Sequence, residues 1–341
     1  ARQRAWNTTP RPTPPADPTV AVRMSTAPST TTPVLDPRKF QDPDLTADGD
    51  ERAHVALTKL DTLWFNTGTL CNLECVNCYI ESSPRNDRLL YLTADEVATY
   101  LDEIQGGPWD TREIGFTGGE PFMNPQIMKM LEDSLRRGFE VLVLTNAMKP
   151  MMKCGDELLQ LQQTYGRKLT LRVSVDHYGQ ALHEQERGER SWAPMIEGLR
   201  WLSEHDFHIA AAGRTRWSHD EAELRGGYQR LFANEGIRID ADSPSQLILF
   251  PEMDEHVDVP EITTACWGIL DQSPDDVMCS SSRMVVRRKG AESPVVLSCT
   301  LLPYDEAFEM GTTLAEASTP VKLNHPHCAK FCVLGAASCS A

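Results

Sequence analysis

Three cysteines fall within eight residues, Cys71, Cys75 and Cys78 of CNLECVNC. Thiolate sulfur selects iron–sulfur clusters, zinc or Cu(I). A structural zinc site wants a fourth Cys or His close by, and none lies in residues 79–92. Three thiolates on a four-iron cluster leave one iron open to a ligand that is not protein. The missing fourth ligand therefore points to a bound substrate or cofactor.

A second group lies far downstream, where six of the ten cysteines fall between Cys266 and Cys339. Scattered core cysteines would not cluster in this way. The first residues lack the apolar stretch of a secretion signal, so metal or redox use outweighs disulfides. A different chemistry is offered by Glu252, Asp254 and Glu255 in FPEMDEH. A carboxylate after the last strand of a barrel has the right address for a base, and Glu252 is the best single candidate.

The elements that must position these groups are legible as repeats. KLDTLWFNTG (59–68), EIGF (113–116), EVLVLTNA (140–147), KLTLRVSVD (168–176), HIAAAGRT (208–215) and SQLILFPEM (245–253) read as strands. Helical patterns separate them: LTADEVATYLDEI, with Thr93 and Glu96 as a capping box, then PQIMKMLEDSLRRGF, begun by Asn124-Pro125. DELLQLQQTYG and stretches near 192–205 and 219–234 follow. Strands alternating with such helices imply a mostly parallel α/β sheet with its site at the strands' carboxyl ends. Six units are too few for the eightfold barrel, so a partial (β/α)6 TIM-like barrel is expected. After about residue 258 the helical periodicity fades. SRMVVRRKGAESPVVLSC then reads as a β-hairpin in a small, cysteine-rich α+β domain. The expected divisions are a Pro/Thr/Ser-rich disordered segment (1–45), a barrel (46–257) and the C-terminal domain (258–341).

Cys71-x3-Cys75-x2-Cys78 followed by Tyr79 resembles the signature of the radical S-adenosylmethionine (radical SAM) superfamily. Gly118-Gly119-Glu120, Thr145-Asn146-Ala147 and Ser174-x-Asp176 end successive predicted strands as that family's segments do. The resemblance implies a [4Fe–4S] cluster whose open iron is chelated by the methionine portion of S-adenosylmethionine. It also implies reductive cleavage to a 5′-deoxyadenosyl radical that abstracts hydrogen, with electrons from a flavodoxin or ferredoxin. Carried over residue by residue, Tyr79 contacts the cofactor, and Gly118, Gly119 and Glu120 bind its amino group. Thr145, Asn146, Ser174 and Asp176 then lie near it, while Glu184, Arg187 and Gly188 shape a lid. Asn77 departs from the aromatic residue often found before the last cysteine, which puts a side-chain contact with adenine in doubt.

Cys279, the hairpin, Cys299 and then Cys328-x3-Cys332 resemble the auxiliary-cluster domains called SPASM or twitch. That resemblance implies one auxiliary [4Fe–4S] cluster on Cys279, Cys299, Cys328 and Cys332, with Cys266 and Cys339 spare. Two clusters, or zinc in place of iron, stay open. The net charge of −16 opposes non-specific binding to nucleic acid or anionic membranes, and no 18-residue apolar run predicts a membrane span. A cytoplasmic enzyme acting on a small molecule is expected, because residues 1–45 show no winged-helix pattern for a leader peptide. A peptide side chain is the second substrate class, and a non-enzymatic metal carrier the competing class of protein.

Overall fold

The structure, a computed structural model, describes residues 33–338. The expected strands appear as β2 (Thr62–Asn66), β3 (Glu113–Thr117), β4 (Glu140–Thr145), β5 (Leu169–Ser174), β6 (His208–Arg214) and β7 (Leu247–Phe250). Each pairs in parallel with its neighbour in chain order. Helices α1 (Ala94–Gly106), α2 (Ile127–Arg136), α4 (Gly155–Tyr165), α6 (Trp192–Glu204) and α7 (Glu221–Glu235) connect them, with short α3 (Lys149–Met152) and α5 (Gln180–Arg187) after β4 and β5. This is the α/β partial barrel that the repeats imply.

Period-two alternation divides the core. Leu63 and Phe65 of β2, with Val141 and Val143 of β4, pack on the helix side against Val97, Tyr100 and Leu101 of α1. Trp64 and Leu142 point the other way and pack with Met284, Leu297 and Phe331. A side chain at Gly115 would collide with the Trp64 ring, so this glycine makes room for the largest buried residue.

The C-terminal hairpin does not stand apart. Its strands are β8 (Ser282–Val286) and β9 (Val295–Leu297). β8 pairs in parallel with β2 from Thr62↔Ser282 to Phe65↔Val285, and β9 pairs antiparallel to β8. The order is therefore β7-β6-β5-β4-β3-β2-β8-β9, and the strand that leads into the cysteine loop is interior. Strands β1 (His54–Val55) and β10 (Val321–Lys322) form a separate antiparallel pair.

Two local expectations are corrected. Asn124 is not the N-cap of α2, which begins at Ile127 without a side-chain cap; its Oδ1 accepts from the Gln126 amide just ahead of the helix, at 2.9 Å. Its amide is buried and donates to the carbonyls of Thr67 and Leu92 at 3.2 and 2.9 Å, which welds the β3 exit to the β2 exit. Residues 34–45, expected outside the fold, are tied to the C-terminal region, while residues 1–32 lie outside the described part. The Glu261 carboxylate accepts from the Phe40 and Ala47 amides at 2.7 Å and pairs with fully buried Arg52 at 2.6 Å. Composition alone does not reveal such a buried ionic anchor.

Candidate active site

One cavity, about 1150 Å³ with its open mouth included, is lined by Cys71, Cys75 and Cys78. The carboxyl ends of five strands complete it: Thr117 to Gly119, Leu144 to Asn146, Ser174 and Asp176, Ala212 to Arg214, and Phe250. Of the residues singled out in the sequence, Tyr79 and Arg187 also line it, whereas Glu120 and Glu252 do not.

The Gly-Gly pair works through the backbone. Gly118 has φ +134, and a Cβ at Gly119 would collide with the Leu70 carbonyl. The Gly119 amide donates to the Gly68 carbonyl at 2.8 Å and the Glu120 amide to that of Leu70 at 3.2 Å. These bonds fasten the start of the cysteine loop to the end of β3. The Glu120 carboxylate is buried and accepts from Thr145 Oγ1 and the Asn146 amide, both at 2.9 Å, and from the Phe122 amide at 3.2 Å. Burial pushes its pKa up to about 7 against those three donors. Glu120 thus orders the β4 exit, and the cavity meets the residues it holds.

Asp176 takes a two-pronged pair from Arg187, with Nε and Nη2 at 2.7 and 3.1 Å. Burial pushes the Cys71 thiol up to about 12 and raises that of Cys75, which the Arg187 charge opposes. Such thiols ionise when a metal takes their protons' place. The donor set fits that role. Cys71 Sγ accepts from the Leu73 amide at 3.4 Å and Cys78 Sγ from the Ser82 amide at 3.3 Å, as cluster thiolates commonly do. Among the described residues, no three His, Cys, Asp or Glu converge on a site for a single metal ion.

Several residues that hold the loop escaped the sequence reading. Glu186, 2% exposed, accepts from the Asn77 amide at 3.0 Å and its side chain at 2.9 Å. It also pairs with Arg214 at 2.7 Å and Arg216 at 3.2 Å. The Asn77 side chain is therefore committed to Glu186. Glu184 instead accepts from Gln180 and the Trp192 amide. The signal was present, because His183 and Glu186 are the buried pair of α5 at helical spacing. Tyr304, from beyond the hairpin, donates to the Ile80 carbonyl at 2.7 Å and so pins the chain just after the third cysteine. Glu252 pairs with Arg214 at 3.2 Å.

The second cysteine group forms its own, smaller cavity of about 360 Å³ with its open side included. Cys279, Cys299, Cys328 and Cys332 all line it, while Cys266 does not. The hairpin explains the first two: Cys279 precedes β8 and Cys299 follows β9, and antiparallel strands bring those ends together. Cys328 and Cys332 share a π-helical turn, Cys328–Val333. Burial pushes Cys279 up to about 11 and Cys328 well above the usual thiol range. Cys299 Sγ accepts from the Leu301 amide at 3.2 Å. Cys339 lies outside the described residues.

Fold and site together define a partial α/β barrel whose strand ends carry a three-cysteine cavity. Residues 65–214 match the model of the Radical SAM superfamily. The antilisterial bacteriocin subtilosin biosynthesis protein AlbA of Bacillus subtilis (strain 168) is 31% identical over 159 residues, which is 45% of this chain and 34% of AlbA. The chain thus spans about a third of the length of that curated relative. Among solved structures, SuiB of Streptococcus suis bound to S-adenosylmethionine superposes with TM-score 0.54 at 12% identity, over 74% of this chain and 63% of SuiB. SuiB bound to its precursor peptide SuiA gives 0.55, over 75% and 63%. AdoMet-bound anSMEcpe gives 0.52 at 12% identity, over 75% and 79%. No described helix is long and apolar enough to cross a membrane.

Proposed function

We propose that this chain is a radical SAM enzyme that abstracts hydrogen from a peptide side chain. The observation that carries the reading is the single cavity shared by Cys71, Cys75 and Cys78, the polar strand ends, and a C-terminal wall of Leu301 and Phe331. A four-iron cluster with one open iron, bound there with S-adenosylmethionine, supplies a 5′-deoxyadenosyl radical when reduced.

The chain's own residues hold and shield. Cys71, Cys75 and Cys78 are the cluster ligands, kept in place by Gly118-Gly119, Glu186 and Tyr304. Thr145, Asn146, Ser174 and the Asp176–Arg187 pair present polar groups to the cofactor, and Tyr79 lines the same space. Phe250, stacked on Phe331 at 5.7 Å, closes the far side with apolar surface, which keeps water from a radical. In the second cavity, Cys279, Cys299, Cys328 and Cys332 are the ligands of one auxiliary cluster. A flavodoxin or ferredoxin supplies the electrons.

The peptide reading is supported by AlbA, named for bacteriocin biosynthesis, and by SuiB, which binds a precursor peptide. The small-molecule expectation rested on residues 1–45, which lie mostly outside the described part. The test is anaerobic reconstitution, reduction with S-adenosylmethionine, and assay for 5′-deoxyadenosine. Deuterium moving from a labelled peptide into 5′-deoxyadenosine supports the reading. Label moving only from small metabolites overturns the substrate class, and no 5′-deoxyadenosine overturns the enzyme.

A further inference from the structure

Arg283, the second residue of β8, is 1% exposed. Its Nε donates to the Ala317 carbonyl at 2.8 Å, and Nη1 to those of Cys279 and Ser282 at 2.6 and 2.8 Å. Nη2 reaches the Thr319 carbonyl at 3.4 Å. Every acceptor is neutral. Other deeply placed arginines of the chain face a carboxylate: Arg52 has Glu261, Arg187 has Asp176 and Arg214 has Glu186. The ionisable neighbours of Arg283 are instead the thiols of Cys279 and Cys299. A buried cation without a counter-ion is costly, so this guanidinium calls for negative charge in the cysteine cavity. His327 lines the same cavity, and its Nδ1 has no hydrogen-bond partner among the described residues.

We propose that Arg283 is the fixed countercharge of an iron–sulfur cluster held by Cys279, Cys299, Cys328 and Cys332, and that it raises that cluster's reduction potential. The proposal rests on the auxiliary-cluster part of the function proposed above. Four thiolates around a four-iron core of charge +2 give a net charge of −2, and one-electron reduction makes it −3. A permanent positive charge in a low-dielectric wall stabilises the more negative state more strongly. The ligands' own backbone takes part, since Arg283 bonds the Cys279 carbonyl. The plainer role is a strap that ties the turn before β8 to residues 317 and 319, and it predicts lost stability without a shifted potential.

The experiment uses the full chain carrying Cys71, Cys75 and Cys78→Ala, so that only the second cavity loads. The readout is an EPR-monitored redox titration, with and without Arg283→Met. The reduction equilibrium should fall tenfold or more on removing the charge, about 59 mV for one electron. An unchanged potential overturns the proposal alone. Arg283→Lys keeps the charge and should stay within that margin. It carries the test if Arg283→Met does not fold, and a tenfold drop with Lys overturns the proposal. Zinc without iron in this cavity overturns it together with the auxiliary-cluster reading, while 5′-deoxyadenosine from the wild-type chain reports separately on the first cavity.

Discussion

The two cysteine cavities differ in what they leave open. The larger offers three thiols, an open mouth and paired charges: Asp176 with Arg187, and Arg214, whose partner Glu186 lies behind the lining. The smaller offers four thiols among Val277, Leu301, Leu302, Phe308 and Leu323. Three ligands and a polar floor suit a metal group that must exchange a partner. Four ligands in an apolar shell suit one that is saturated. The difference also lies in construction. A loop held from several directions builds the first, whereas a hairpin's two ends and one π-helical turn build the second.

The sharpest way to break this comparison is Cys71, Cys75 and Cys78→Ala together. The expected result is complete loss of 5′-deoxyadenosine and of about four irons, with the iron of the second cavity retained. Iron that ignores the three substitutions would erase the distinction between the cavities. Next in size is Glu186→Ala, which leaves Arg214 facing a vacated, largely buried carboxylate site. It should cost about 3 kcal/mol in denaturant unfolding and loosen iron at the first cavity only. Equal iron loss from both cavities would show that Glu186 supports the fold rather than the loop.

Gly119→Ala is expected to cost about 1–3 kcal/mol, because the new methyl meets the Leu70 carbonyl and the loop must move. S-adenosylmethionine affinity should fall with it, and equilibrium binding to the reconstituted protein measures that. Glu120 adds a pH signature. Its folded pKa, raised to about 7 by burial, lies above the ordinary carboxylate value of 4.5. The folded state therefore holds the extra proton, and stability falls as pH rises between those values. Glu120→Gln should flatten that slope in unfolding measured across the window. The smallest effect belongs to Glu252→Gln, since Glu252 pairs with Arg214 and does not line the cavity. Turnover should drop less than about tenfold, and a loss of about 10²–10⁴ would restore Glu252 as a base.

Much of the frame was legible because it is local. The capping box of Thr93 and Glu96 forms as read, with the Glu96 amide donating to Thr93 Oγ1 at 3.2 Å. Five of the six barrel strands lie within their apolar runs, β3 extends one residue past its own to Thr117, and the hairpin lies between Cys279 and Cys299. The site residues were legible less evenly. The place of Glu120 after two glycines marks it as a cofactor contact, and the structure adds that its carboxylate holds Thr145 and Asn146. The resemblance names Glu184 alone, whereas helix phase turns Glu186 inward, which the motif by itself does not show.

Sequence by itself determined the strand–helix alternation, the cysteine spacing and the hairpin, since backbone propensity and side-chain period act over a few residues. Only the tertiary structure decided that β8 lies beside β2, that Tyr304 and Glu186 clasp the cysteine loop from two distant segments of the chain, and that no carboxylate among the described residues pairs with Arg283. Those outcomes depend on which distant groups share a buried space. There, every charge and hydrogen-bonding atom must find a partner, and chain order does not specify which one.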